Sequence, residues 1–245
     1  MPNYKLELSY DGTRYNGWQR LGDTDNTIQH RVEETLSRIC GEDTEVFSSG
    51  RTDAGVHARR QVCSFKTESE LECESVLKDL RHYLPEDIGA LSLKKASDRF
   101  HARYNAIGKT YLYRIRVSSE PDIFNRRYVY NYTEELNIPE MKRAAGMLLG
   151  EHDFSAFTSE KHIKKSPVKE LRSVDIKEIN GEVRIYYNGD SFLRNMVRIL
   201  TGTLLEVGTG RLSADSIPDI LKSGKRENAG FMAPAKGLIL WDVEY

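Results

Sequence analysis

Asp53 stands in the run Ser49-Gly50-Arg51-Thr52-Asp53-Ala54-Gly55-Val56-His57-Ala58, two residues from a guanidinium and bracketed by glycines. A cation near an acid favours the charged form and lowers its pKa, so Asp53 beside Arg51 is expected to be ionised at neutral pH. An ionised carboxylate can act as a nucleophile or as a general base. A hydrolase built on Asp53 would want a second titratable partner or a metal set, and the chain shows neither at suitable spacing. Glu151-His152-Asp153 looks like a metal cluster at first, but adjacent residues do not converge well on one ion, so no metal is expected. A second charged pair, Arg194 and Arg198, lies four residues apart in Ser191-Phe192-Leu193-Arg194-Asn195-Met196-Val197-Arg198. That spacing predicts one helical face carrying both guanidinium groups.

These groups need elements to hold them. Val46 and Phe47 precede the Asp53 run, and Val56, Val62 and Phe65 follow it, a pattern of strand, tight loop and strand. The glycines permit a sharp turn and the close approach of another molecule. Physics alone stops at an anionic group in a glycine-framed loop, and a surface hairpin with a chance Arg-Asp pair fits the same residues. Upstream, Tyr4, Leu6, Leu8 and Tyr10 alternate with polar residues as a half-buried strand. The loop Asp11–Gln19 then brings two glycines, Arg14, Tyr15 and Trp18. Stacking rings and a phosphate-binding arginine suit RNA, while Trp18 filling the edge of the core fits equally. Thr27 caps a helix with Ile28, Val32, Leu36 and Ile39 at helical spacing, ending near Gly41. A helix over 74–84 stops at Pro85, and strands are expected over 88–94 and 109–117, the latter with Tyr111, Tyr113, Ile115 and Val117 on one face. A composition break at 118–135 marks a junction. Pro139 opens another helix. Strands over 168–179 and 182–188 flank Asn180-Gly181, a hairpin signal, and a helix runs from Ser191 to about Val207.

At 245 residues, 39% apolar and 30% charged, the chain can bury a substantial core as one large or two small domains. No apolar run approaches the roughly 20 residues that span a bilayer, so no membrane role is expected. The first residues lack a signal-peptide layout. Cys40, Cys63 and Cys73 include no CxxC pair and are expected to be reduced, in the cytoplasm. Net charge is −1, against a uniformly basic nucleic-acid binder. The charge is segregated, however. Residues 67–87 carry seven acids and two bases, whereas 99–127 carry seven bases (Arg99, Arg103, Lys109, Arg114, Arg116, Arg126, Arg127) and two acids. A polyanion needs only one positive face. Lys161, His162, Lys164 and Lys165 form a further basic loop suited to RNA.

The nine residues Gly50–Ala58 resemble the signature of pseudouridine synthases of the TruA family. Tyr10-Asp11-Gly12 with Gly17-Trp18-Gln19 is similar to another family element, although Leu21 stands where a second Gln is expected. Lys109-Thr110-Tyr111, Met196-Val197-Arg198 and Ala233-Pro234-Ala235-Lys236-Gly237-Leu238 resemble three more. The resemblance implies an α/β (α+β) fold of two similar sheet-plus-helix halves, over 1–105 and 106–245, forming a pseudouridine synthase fold with a central basic cleft. It implies Asp53 as the catalytic residue, Arg198 as its partner, Tyr111 packed on the target uracil and Leu238 lining the uracil pocket. Arg51, Trp18 and Gln19 become substrate-binding candidates. The implied reaction converts uridine to pseudouridine in tRNA at positions 38, 39 and 40, by a homodimer and without a cofactor. A non-catalytic RNA-binding protein on the same fold would lack the set Asp53, Tyr111 and Arg198. Departures from the family pattern are Arg59 and Arg60, read as extra positive potential near the site, Thr201 in place of an aliphatic residue, and Phe231-Met232.

Overall fold

The computed structural model describes residues 1–163 and 166–245; Lys164 and Lys165 of the expected basic loop lie outside them. The chain forms two compact units, Met1–Ile107 with Ile239–Tyr245, and Gly108–Leu238.

In the first unit, alternation builds β1 (Asn3–Tyr10), with Tyr4, Leu6, Leu8 and Tyr10 buried. Helix α1 (Ile28–Cys40) starts where the Thr27 hydroxyl accepts from the His30 amide and stops at Gly41, whose φ of 73° suits a residue without Cβ. The short β2 (Phe47–Ser48) leads through the Asp53 loop into β3 (His57–Lys66). Next, α2 (Cys73–Tyr83) is capped by the Glu72 carboxylate, and β4 (Ile88–Ala96) follows Pro85. β1 lies antiparallel between β3 and β4.

The second unit begins with β5 (Gly108–Val117) and a brief β6 (Tyr130–Tyr132) parallel to it. Helix α3 (Ile138–Gly146) has Asn137 as cap and Pro139 in its first turn. Then come β7 (Gly150–Asp153), β8 (Val168–Ile179) and β9 (Glu182–Gly189), antiparallel in the order β5-β9-β8-β7. Asn180 and Gly181 join β8 to β9 with φ of 52° and 76°, both left-handed as a twisted two-residue hairpin requires. Helix α4 (Met196–Gly208) is buried at every residue except Arg198 and Glu206, and α5 (Ile217–Ser223) follows it. Strand β10 (Leu238–Glu244) ends the chain and returns to the first unit, parallel to β3, with Ile239 opposite His57 and Leu240 opposite Ala58.

Two expectations change. The helix expected from Ser191 begins only at Met196, because Asn195 takes a left-handed φ of 59°, a conformation that Asn tolerates better than most residues. Arg194 therefore precedes α4 and does not share a helical face with Arg198. The second change concerns the basic run at 99–127. Arg114 donates to both oxygens of Glu182 at 2.9 and 2.6 Å, and Arg116 pairs with Asp122 at 3.0 Å, so these two charges are neutralised locally. Thr201 has a clear use inside the buried helix. Its hydroxyl donates to the Val197 carbonyl and meets the buried Tyr187 hydroxyl at 2.9 Å, satisfying both.

Glu182 also accepts from Arg184 at 2.9 Å. Arg114 and Arg184 face each other directly across β5 and β9, so without the carboxylate two cations would oppose one another. Burial pushes the Glu182 pKa up, but the hydrogen bonds and charges of Arg114 and Arg184 outweigh it and hold the group below its ordinary value. A carboxylate with a depressed folded-state pKa stabilises at pH above its unfolded value and loses that contribution as pH falls through the folded one. Glu182→Gln should therefore lower stability by roughly 2 kcal/mol at pH 7. In urea titrations the difference from the parent should be constant above the ordinary carboxylate range of about pH 4.3 and shrink as the pH falls below it. A gap that persisted undiminished in acid would rule out the charge explanation.

Candidate active site

The Asp53 loop is held from its buried side by polar groups. The Ser49 amide donates to the Val62 carbonyl at 2.8 Å, and the Ser49 hydroxyl to Gln61 Oε1 at 2.6 Å. Gln61 Nε2 donates to the Gly50 carbonyl at 2.8 Å. Thr52 turns inward, its Oγ1 2.8 Å from the Tyr10 hydroxyl. The Asp53 carbonyl accepts from the Val56 amide at 3.1 Å, closing a turn in which Gly55 has φ of 76°. With Thr52 and Val56 fixed below, Asp53 is left half-buried between an exposed Arg51 and an exposed Ala54. A carboxylate at the rim of a braced turn needs little reorganisation before it reacts.

The segment after β1 supplies the rest of the brace. The Trp18 amide donates to the Thr52 carbonyl at 3.0 Å, and the Gly55 amide to the Tyr15 carbonyl at 3.4 Å. Gly12 donates its amide to Nδ1 of the buried His57 at 3.1 Å. Gly12 and Gly17 lie against the loop so closely that side chains do not fit: a Cβ on Gly12 would sit 2.0 Å from the Val56 carbonyl oxygen, and one on Gly17 2.8 Å from that of Thr52. Gly17 also has φ of 95°. Gly17→Ala is expected to cost roughly 1–3 kcal/mol of stability. It should also slow turnover by about 100-fold through a shift of the carboxylate. Thermal melts and single-turnover rates on the same preparation separate the two, and a destabilised variant with parental turnover would show that the brace does not position Asp53.

In the second unit, Arg198 sits in the first turn of α4. Its Nε donates to the Ala233 carbonyl at 2.7 Å and its Nη1 to Asn195 Oδ1 at 2.9 Å, while its own carbonyl accepts from the Ala233 amide at 3.1 Å. The guanidinium is thereby aimed by the segment leading to Leu238. Arg194, by contrast, is exposed, and its carbonyl accepts from the Thr158 hydroxyl and the Ser159 amide. Tyr111 is buried with Phe192 edge-on at 5.1 Å. Tyr113 is fully buried, and its hydroxyl donates to the Pro234 carbonyl at 2.7 Å. Its ring lies 2.7 Å from where a Gly237 Cβ would be, so residue 237 must be glycine for Leu238 to enter β10 as it does. Burial pushes the Tyr113 hydroxyl pKa well above its ordinary value. Tyr113 is thus a pillar under the closing segment. Leu238 itself is buried at the start of β10.

Several expected positions take a different part. Trp18 is 1% exposed and its ring tilts against Tyr10 with centroids 6.0 Å apart, so it seats the loop and offers no face for stacking. Gln19 is half-buried beside it. Arg51 makes no ion pair among the described residues, since a long exposed side chain gains little from a neighbouring charge in water. Arg60 adds no free positive potential: it is bound to Glu7 at 2.7 Å and to Asp242. Arg59 lies over the Trp241 ring at 4.4 Å. Glu151, His152 and Asp153 alternate along β7, where His152 bonds the Leu149 carbonyl and Asp153 accepts from the Ser155 amide. Tyr10, Gln61 and His57 are absent from the sequence-level candidates, because nothing local marks a buried polar residue as the support of a distant loop.

A family model described as tRNA pseudouridine synthase matches residues 8–105 and 144–245. The chain is 46% identical over 245 residues to tRNA pseudouridine synthase A 2 of Bacillus anthracis, covering 100% of both chains. It is 45% identical to tRNA pseudouridine synthase A 1 of Clostridium tetani and 44% identical to tRNA pseudouridine synthase A of a Bacillus species, again over 100% of each chain. Both blocks of the family match include the pieces described above, the braced Asp53 loop in the first and Arg198 with the Ala233–Leu238 segment in the second, and this protein therefore belongs to the tRNA pseudouridine synthases of the TruA family.

Proposed function

We propose that the protein isomerises uridine to pseudouridine in the anticodon stem-loop of tRNA, at positions 38, 39 and 40, with Asp53 as the reacting carboxylate. Isomerisation of tRNA uridine follows from membership of the family; the positions and the residue roles are our reading. The observation that carries it is a carboxylate on a braced, glycine-framed turn, half exposed, within the motif that resembles the family signature.

The chemistry is an exchange of bonds within one nucleotide. The C1′–N1 bond breaks, the uracil turns, and a C1′–C5 bond forms; the C5 hydrogen leaves to solvent and N1 gains one. Atoms and electrons balance without an oxidant or a carrier, so no cofactor is needed. A base inside a folded RNA must first be flipped out, at a cost of a few kcal/mol, and then held by stacking and edge contacts. Tyr111 and Leu238 take that part. Asp53 acts at C1′ or at C6, Arg198 keeps it ionised, and exclusion of water retains the detached uracil. Arg51, exposed beside the carboxylate, is available to a backbone phosphate. A homodimer in a reducing cytoplasm completes the reading; the three cysteines are free thiols.

The test uses tRNA transcripts tritiated at uridine C5. Release of tritium, followed by mapping of pseudouridine at positions 38–40, is the expected result. Pseudouridine confined to other positions would overturn the site assignment, and no release from any tRNA would overturn the reaction.

A further inference from the structure

Phe47, His101 and Tyr104 form a ladder of three rings in the first unit. The Phe47 and His101 centroids are 5.2 Å apart at 45°, and those of His101 and Tyr104 are 4.3 Å apart at 40°. Tyr104 is 75% exposed and Phe47 42%. Single exposed aromatic residues are ordinary and need no explanation. This one is held out by a stiff turn. The His101 carbonyl accepts from the Tyr104 and Asn105 amides at 3.1 and 3.0 Å, Asn105 Oδ1 accepts from the His101 amide at 2.7 Å, and His101 Nδ1 accepts from the Arg103 amide at 3.1 Å.

The base of the turn is tied down as firmly. Asn3 Nδ2 donates to the Ser97 and Phe100 carbonyls at 2.7 and 2.8 Å, the Ala102 amide donates to Ser64 Oγ at 3.0 Å, and the Tyr245 hydroxyl donates to the Ala102 carbonyl at 2.7 Å. Burial, with the nearby Arg103 charge, keeps the His101 pKa below its ordinary value, so the middle ring is a flat neutral surface at neutral pH. Arg99 and Arg103 are exposed on the same turn and make no ion pair among the described residues. A preorganised ring face flanked by unneutralised guanidinium groups matches one class of partner, a nucleotide with a π-face and an anionic backbone. An apolar protein surface would leave both arginines unanswered.

We infer that the Phe47–His101–Tyr104 ladder is a stacking platform for an unpaired base of the RNA substrate, with Arg99 and Arg103 meeting its phosphates. The inference rests on the reading of this protein as a tRNA-modifying enzyme and adds to it a contact away from the Asp53 loop. Tyr104 here positions the RNA and takes no part in bond making.

The experiment compares the parent with Tyr104→Ala and Tyr104→Phe, using an unmodified tRNA transcript and a short single-stranded RNA carrying 2-aminopurine. Tyr104→Ala should bind the transcript roughly ten-fold more weakly, and Tyr104→Phe as the parent does, because stacking requires the ring and not the hydroxyl. The single-turnover rate at saturating enzyme should stay within about two-fold and the melting temperature should not move, as expected for an exposed side chain. The parent should quench 2-aminopurine fluorescence on binding, and Tyr104→Ala should not. Arg103→Ala should lower the slope of log affinity against log salt by about 0.7, whereas Tyr104→Ala should leave it unchanged. Parental affinity and parental quenching in Tyr104→Ala would overturn the platform. A parent that quenches 2-aminopurine through Tyr104 but makes no pseudouridine would uphold the platform and overturn the functional reading.

Discussion

Asp53→Asn should fold and bind tRNA as the parent does and form no measurable pseudouridine, a loss of at least about 10³-fold in single-turnover rate. The substitution keeps the size of the side chain and removes its charge and its nucleophilicity. Stability should change far less than turnover, because the Thr52–Tyr10 contact, the Ser49–Gln61 contact and the backbone bonds at Thr52 and Val56 hold the turn whichever side chain stands at 53. Tritium release from uridine-labelled tRNA, together with a thermal melt and a filter-binding titration, makes the comparison complete. Near-parental release would end the assignment of Asp53 to the chemistry. Lost release with lost tRNA binding would assign it to the substrate contact instead.

The second large effect concerns two arginines of identical composition and different surroundings. Arg198 is clasped by the Ala233 carbonyl and Asn195, whereas Arg194 is exposed ahead of the helix. In the role proposed for it, Arg198 keeps the reacting carboxylate charged in a dry site, and a partner lost from such a site costs about 3–5 kcal/mol or leaves the acid protonated. Arg198→Lys should therefore slow single turnover by about 10²- to 10³-fold. An ammonium cannot reproduce the planar fork that reaches Ala233 and Asn195 while still serving a carboxylate. Arg194→Ala should bind tRNA a few-fold more weakly, with a salt slope shallower by about 0.9, and keep most of its saturating rate. A dead Arg194→Ala beside an active Arg198→Lys would show that α4 has been assigned to the site the wrong way round.

Local chemistry was a sound guide wherever the cause was local. The alternation of Tyr4, Leu6, Leu8 and Tyr10, the Thr27 cap with its Gly41 stop, and the Asn180-Gly181 turn each act within a few residues, and each forms as its pattern requires. The Gly50–Ala58 run likewise forms the tight, glycine-framed turn between two strands that its residue types and spacing require. The start of α4 was not. The apolar spacing of 191–198 is helical, but a left-handed Asn195 whose amide reaches Ser159 and whose oxygen reaches Arg198 outweighs it, and that choice depends on residues far along the chain.

Residue types and their spacing are enough to mark most strands and helices of this chain and the motifs by which it resembles its family. How the side chains of those motifs are held depends on segments far apart in the chain. Gly17 is a loop glycine until Thr52 and Asp53 are packed against it, and Trp18 suits either a base or the core until the core closes around it. Arg60 is a free charge on paper and a bound one between Glu7 and Asp242 in the fold. The last strand joins the first unit through β3, a pairing between residues more than 180 positions apart. Each of these outcomes turns on contacts whose free energy exists only once distant segments meet, and no window of adjacent residues contains that information.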